Sequence, residues 1–224
     1  MRGLLPFVAL LIVTAALRPA SADFWEKKKY PEWSKKEIQK MLNDSPWARP
    51  VEFHPDLAAD DKEKPGRATC EGCSGGGPRP GMPDLAPTVM LVVRWQSALP
   101  VKQATAAARF GAEVTTTREA IEFLGRREPF YVIAVAGLPP EALPGADKLK
   151  SGAVLKARNK APMPVAEVTV QAQGKLAAVY FAFPRSQPIA LEDEETEFSL
   201  RLGSSDIKRK FKLKEMVYDG RLEL

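Results

Sequence analysis

The chain has 224 residues, of which 45% are hydrophobic and 27% charged, so it has enough apolar side chains for a packed core. Its formal net charge is +5, from 33 Lys and Arg against 28 Asp and Glu. This mild basicity is spread along the chain without a dense basic stripe, which argues against nucleic-acid binding.

Residues 1–22 have the pattern of a secretory signal peptide. Arg2 precedes an uncharged apolar run at 4–17, and the small residues that end at Ala22 form an A-x-A cleavage site. We expect cleavage after Ala22 and a secreted or periplasmic protein of 224 − 22 = 202 residues, with its formal charge lowered by two to +3. An uncleaved anchor is the alternative, although the run is shorter than the ~20 residues of a membrane span. No later stretch predicts a transmembrane segment.

The first predicted element after this leader is a short helix. Ser34 is a good N-cap, and Glu37 lies three residues later, which predicts a capping box. Trp33 and Ile38 have the spacing of a hydrophobic staple. Pro46 ends the helix, because proline cannot continue it.

Two tryptophans flank this helix. Trp33, Ile38, Met41, Leu42 and Trp47 can form one apolar patch. A helix this short needs a surface to pack on, and that surface is either the protein's own downstream domain or a partner. Trp33 and Trp47 are therefore the candidate binding residues for an envelope protein or polymer.

The segment 54–87 is rich in Gly and Pro and predicts a flexible linker. It contains Cys70 and Cys73, the only two cysteines of the chain. A haem attachment site needs His after the second cysteine, where Ser74 stands, and a structural zinc site needs four ligands. In an oxidising compartment this pair predicts a small-loop disulfide or plain thiols. We therefore assign no cofactor and no metal.

The main domain opens with two strands that flank two helices. They are a strand at 88–95, a helix at 100–110 ended by Gly111, a helix that begins with a Thr116–Glu119 capping box, and a strand at 130–136. A single helix between two strands would predict a parallel crossover. With two helices, the direction of the second strand stays open.

The rest of the chain predicts mostly strands, beginning with a hairpin. Residues 166–172 pair with 175–183 across a turn at Gln173-Gly174. This register places Val168 opposite Val179.

A second hairpin has its predicted turn at 203–206. Counting outward places Phe198 opposite Phe211 on an apolar face and Glu197 opposite Lys212 on a charged face. The Lys- and Arg-rich strand is therefore interpreted as one half of a charge-paired hairpin rather than a basic binding stripe.

These elements predict an α+β fold, in which a mostly antiparallel β-sheet and two or three helices follow a short N-terminal helix and a flexible linker. The predicted organisation is a signal peptide at 1–22, an N-terminal helical segment at 23–53, a Gly/Pro-rich linker at 54–87 and an α+β domain at 88–224.

Two strings, "EWSKKEIQKMLNDSPWARPV" and "FPRSQPIALEDEETEF…KRKFKLKEMVYDGRLEL", resemble a family of secreted bacterial proteins of unknown function. The resemblance covers the N-terminal helix and the last third of the chain, and it does not include the segment with the cysteines. It implies secretion and a bacterial envelope setting, and it implies no catalytic residues.

The motifs favour a non-catalytic binding or interaction module over an enzyme. One histidine, His54 in a Pro-rich segment, is poor material for a catalytic triad, and no G-x-S-x-G or H-E-x-x-H motif is present. Two alternatives remain open. One is a secreted hydrolase that uses carboxylates, and the other is a small redox or metal module on Cys70 and Cys73.

Overall fold

A computed structural model describes residues 23–54 and 88–224. The predicted signal peptide, most of the predicted linker, and Cys70 with Cys73 lie outside these residues. Within them, the helices are α1 (Phe24–Lys27), α2 (Lys35–Asn43), α3 (Leu99–Phe110), α4 (Arg118–Gly125) and α5 (Ala146–Gly152). The strands are β1 (Ala48–Phe53), β2 (Val89–Trp95), β3 (Phe130–Leu138), β4 (Ala153–Ala157), β5 (Met163–Pro164), β6 (Glu167–Gln173), β7 (Leu176–Pro184), β8 (Glu195–Leu202), β9 (Ser205–Lys212), β10 (Val217–Tyr218) and β11 (Arg221–Leu222).

The larger strands form two antiparallel sheets. The first has the order β1-β2-β3-β7-β6, the second has the order β5-β4-β8-β9, and β10 and β11 form a separate small hairpin. The protein is thus an α+β fold with mostly antiparallel strands, as the sequence predicted. Because β3 returns antiparallel to β2, the two helices between these strands form no parallel crossover.

The core lies between the two sheets. On β7, Phe181 and Phe183 pack against Phe198 of β8, with ring centroids 5.5 and 6.2 Å apart. Trp95 of β2 packs edge-on against Phe211 of β9 at 5.6 Å. All five side chains are essentially inaccessible to solvent, so these aromatic contacts hold one sheet against the other.

Local signals determine the ends of two helices as predicted. The Ser34 side chain accepts a hydrogen bond from the Glu37 N–H, and the Glu37 carboxylate accepts one from the Ser34 N–H, which completes the capping box of α2. Helix α3 ends before Gly111, which adopts φ +58°. The capping box predicted at Thr116 was wrong, because α4 begins one residue later and its N-cap, Thr117, makes no side-chain cap bond.

Residues at the end of the predicted N-terminal segment contribute a strand to the main sheet. Strand β1 pairs antiparallel with β2, so Val51 lies opposite Leu91. The chain positions on either side of the undescribed segment also lie together, because Thr88 Oγ1 is 3.2 Å from His54 Nδ1. The described parts of the chain before and after that segment therefore share one sheet.

Both predicted hairpins form, but the predicted register of the first was wrong by two residues. Strands β6 and β7 join through a two-residue turn at Gly174-Lys175, so Val168 lies opposite Phe181 and not Val179. Gly174 has φ +65°, the value that such a tight turn requires at its first central position.

The second hairpin differs from its prediction in the same way. Its turn is Gly203-Ser204, so Phe198 lies opposite Arg209, and Glu197 lies opposite Lys210. A shift of two residues leaves every side chain on its predicted face, because strand side chains alternate with a period of two. The charged face is cross-paired, with Lys210 Nζ 3.0 Å from a Glu195 carboxylate oxygen.

Candidate functional site

The two tryptophans singled out by the sequence lie in the interior of the protein. Trp33 is 5% exposed and Trp47 is 0% exposed. The Trp33 indole N–H donates to the Lys28 carbonyl at 3.1 Å, and the Trp47 indole N–H donates to the Glu223 carbonyl at 2.9 Å. Both indoles are therefore packed within the protein's own chain.

These tryptophans belong to a chain of edge-on aromatic rings, which we call the N-terminal aromatic cluster. Phe24 contacts both Trp25 and Trp33, Trp25 contacts Trp47, and Trp47 contacts Tyr218, with centroid separations of 4.9 to 6.3 Å. Edge-on pairs of this kind stabilise by about 0.5–1.5 kcal/mol beyond area burial. The cluster joins the start of the described chain to the β10–β11 hairpin near its end.

A concave site lies between the N-terminal end of α3, the loop before β3 and the last residues of the chain. Its volume is about 560 Å³. We call it the basic cleft, because its lining includes four basic side chains: Lys102, Arg126, Arg127 and Arg185. Its apolar wall consists of Leu99, Leu124, Ile189, Leu222 and Leu224. Glu128 and Glu223 are its two carboxylates.

Lys102 holds the rim of the basic cleft in place. Its side chain is 6% exposed, and its ammonium donates to the Arg126 carbonyl at 2.6 Å. The same ammonium lies 3.5 Å from a Glu128 carboxylate oxygen and 5.4 Å from the centre of the Phe123 ring. Burial of this charge is thus compensated by three partners. Lys102 therefore fixes the loop after α4.

That loop carries two adjacent guanidinium groups. Gly125 ends α4 and Phe130 begins β3, so Arg126 and Arg127 lie on the short connection between these elements. Both residues are exposed, and neither forms an ion pair with any of the described residues. Their hydrogen-bonding capacity faces solvent at the rim.

A third guanidinium group comes from the end of β7. Arg185 stacks over the Tyr131 ring with 4.2 Å between the guanidinium carbon and the ring centroid, and it donates to the Leu224 carbonyl at 2.7 Å. The Tyr131 hydroxyl in turn accepts the Ile189 N–H at 2.9 Å, which fixes the ring. Stacking and hydrogen bonding hold Arg185 in one orientation, so little side-chain entropy is lost if it binds an anion.

The two carboxylates of the cleft have different environments. Glu128 is close to the Lys102 ammonium. Burial raises the pKa of Glu223 above its usual range, against the opposing effect of the Leu99 N–H, which donates to its carboxylate at 3.4 Å. Burial therefore favours the protonated form of Glu223.

A second groove, of about 660 Å³, lies between the N-terminal segment and the β10–β11 hairpin. Its charges include intramolecular pairs, because the Arg49 guanidinium is 3.0 Å from Glu215 and 3.9 Å from Asp44. Pairs of this kind leave less unsatisfied charge for a ligand than the arginines of the basic cleft do.

Two surveys of the described residues add to this picture. In residues 23–54 and 88–224, no group of three or more His, Cys, Asp or Glu residues could hold a metal ion. Over the same ranges, none of the helices has both the length and the apolar character needed to cross a membrane.

Sequence analysis did not identify the basic cleft. The adjacent arginines after a predicted helix end were a usable local signal, but their convergence with Tyr131 and Arg185 depends on the sheet order β3-β7. Comparison of the chain with protein-family models, with curated proteins and with solved structures found no match in any of the three.

Proposed function

We propose that the protein is a non-catalytic binding module of the bacterial envelope that takes an anionic ligand with an apolar portion in the basic cleft. The observation that carries the proposal is the set of three guanidinium groups, on Arg126, Arg127 and Arg185, around one concave site. The envelope setting comes from the signal-peptide pattern and the family resemblance described above.

Guanidinium groups favour a particular class of ligand. Their planar array of N–H donors matches the oxygens of a carboxylate or phosphate, and such charge-assisted bonds are about twice as strong as neutral ones. Arg126 and Arg127 have no ion-pair partner among the described residues. An anion could therefore bind them without breaking an ion pair to any of these residues. The rim therefore selects for negative charge.

The wall of the cleft favours an apolar body on the ligand. Leu99, Leu124 and Leu222 line the same site and are each partly exposed. The cleft volume of about 560 Å³ also lies within the range of roughly 300–1,000 Å³ that is usual for small-molecule sites. A medium-chain carboxylate has both the charge and the apolar tail that these features select.

Titration calorimetry with octanoate, and with octanol as the uncharged probe, tests the proposal. We expect octanoate to bind more tightly than octanol. The double variant Arg126→Ala/Arg127→Ala should weaken octanoate binding by about a hundredfold or more, because it removes two charged hydrogen bonds and each contributes about 1.5–3 kcal/mol. Arg118→Ala is the matched control. It also removes an arginine, but the Arg118 side chain lies on α4, is 91% exposed and pairs with Glu122. Equal affinity in the double variant and the control would contradict the proposal.

A second candidate function, a hydrolase that uses carboxylates, is favoured by one observation. Glu223 lies in the basic cleft with a raised pKa, as a general acid requires. Hydrolysis of chromogenic glycosides that is lost in Glu223→Gln and retained in Arg118→Ala would support the hydrolase over the binding module.

A further inference from the structure

Among the four edges of the two larger described sheets, strand β6 is the one without an evident obstacle to pairing with another chain. Exposed edges present unpaired backbone groups, and proteins usually protect them with proline, charge or a covering element. Strand β5 is two residues long and contains Pro164, and β9 carries Lys208, Lys210 and Lys212.

The fourth edge, β1, is protected as well. It contains Pro50, whose carbonyl accepts a hydrogen bond from the Arg209 guanidinium of β9. Near its end, the Ser205 hydroxyl donates to the His54 carbonyl at 3.0 Å. Strand β1 is therefore bound to the edge of the opposite sheet.

The centre of strand β6 contains neither a proline nor a charged residue that would protect the edge. Its residues 168–172 contain no charge, no proline and no glycine. Thr169, Val170, Gln171 and Ala172 are exposed, and Val170 is 48% exposed although its side chain continues the apolar face of the sheet next to Val179.

The hairpin geometry shows which backbone groups point outward. The two-residue turn makes Gln173 and Leu176 the closing hydrogen-bonded pair, so the odd-numbered residues of β6 bond to β7. The amide and carbonyl groups of Val168, Val170 and Ala172 therefore face away from the sheet, where an added strand would bind them.

The charges at the two ends of β6 are complementary to those of an antiparallel copy of the same strand. Glu167 begins the strand and Lys175 lies in the turn that follows its end, and neither forms an ion pair with the described residues. A two-fold axis at Gln171 brings Glu167 of each copy next to the turn that carries Lys175 of the other. The same register places Val170 opposite Ala172 of the second copy.

We infer that two copies of this chain pair antiparallel along β6, which joins their five-stranded sheets into one ten-stranded sheet across the two-fold axis. The pairing forms backbone hydrogen bonds at Val170 and Ala172, covers the exposed Val170 side chain, and closes two ion pairs. It goes beyond the proposed ligand binding, because β6 contributes no side chain to the basic cleft.

Sedimentation equilibrium of the purified protein, with charge-swap variants, tests this inference. The wild type should show a concentration-dependent mass that reaches twice that of the chain. Glu167→Lys and Lys175→Glu should each weaken the dimer by roughly tenfold, because each replaces two attractive cross-strand pairs by two repulsive ones. The double variant Glu167→Lys/Lys175→Glu should restore the wild-type dimer.

Lys36→Glu, which changes the same charge on the exposed face of α2, is the matched control and should leave the dimer unchanged. Val170→Lys places a charge at the centre of the edge and should abolish pairing without lowering the thermal midpoint of the monomer. A monomeric wild type at every concentration would overturn the inference, and so would a double variant that fails to restore the dimer. A wild type that stays monomeric but adds an extended peptide along β6 would also overturn it in favour of a different partner.

Discussion

Replacement of Trp47 by alanine should be among the most destabilising single changes in this protein. The Trp47 side chain is 0% exposed, contacts the Trp25 and Tyr218 rings, and donates its indole N–H to the Glu223 carbonyl. Truncation of a buried aromatic residue costs about 3–5 kcal/mol, within a total stability of roughly 5–15 kcal/mol. For a chain of this size each kcal/mol lowers the thermal midpoint by about 2–4 °C, so we expect a fall of about 6–20 °C.

Thermal and urea unfolding followed by circular dichroism measure this effect without depending on tryptophan fluorescence. Trp47→Phe separates the two contributions, because it keeps most of the apolar bulk and loses the hydrogen bond, and it should cost much less than Trp47→Ala. Lys36→Ala on the exposed face of α2 is the surface control and should change the free energy of unfolding by less than about 0.5 kcal/mol. A cost below about 1 kcal/mol for Trp47→Ala would refute the reasoning, because the N-terminal aromatic cluster would then not be part of the core.

Two further predictions concern other parts of the fold. Hydrogen bonds from the Lys28 ammonium and from Ser34 lower the pKa of Glu37 from its ordinary 4.5 to about 2. The stabilising contribution of Glu37 is therefore complete above pH 4.5 and is lost as the pH falls toward 2. NMR titration of the Glu37 carboxyl should give a midpoint near 2, and a midpoint near 4.5 would mean that neither the Lys28 bond nor the capping box forms. Gly152→Ala should destabilise the protein by about 1–3 kcal/mol in urea unfolding, because a Cβ there would lie 2.9 Å from the Arg201 carbonyl oxygen, and an unchanged free energy would show that α5 does not pack this closely on β8.

The parts of the fold that the sequence predicts correctly depend on residues close together in the chain. The capping box of Ser34 and Glu37 spans three residues, and the end of α3 at Gly111 needs only one glycine in the left-handed region. The hairpin registers were predicted less accurately. Glycine at the first central position moved the first turn by one residue and shortened the second from four residues to two, and each change shifted the strand pairing by two residues. The prediction of which side chains share a face of each hairpin was still correct, because a register shift of two residues preserves the alternation of side chains along a strand.

Strand β1 shows why non-local pairing limits such predictions. Its sequence, "ARPVEF", contains Pro50 and Glu52, and both residue types are uncommon in strands. It becomes a strand because β2 offers a partner edge, although 35 residues separate Phe53 from Val89 in the sequence. No local pattern encodes that partner.

The basic cleft also depends on the pairing of strands that are distant in the sequence. Arg126 and Arg127 are adjacent in the sequence, but Tyr131 and Arg185 join them only because β3 pairs with β7. The tryptophans, by contrast, were conspicuous in the sequence for a reason of packing, because large aromatic residues fill the space between the N-terminal segment and the last hairpin.

The most direct test of the central claim is an NMR titration of the isotope-labelled protein with octanoate. The account predicts saturable shifts of the backbone amides of Leu124, Arg126, Tyr131 and Arg185, which line the basic cleft, and smaller shifts in the Arg126→Ala/Arg127→Ala variant. Absence of shifts at these positions, or saturable shifts confined to the groove around Asp44 and Glu215, would contradict the assignment of the basic cleft as the binding site.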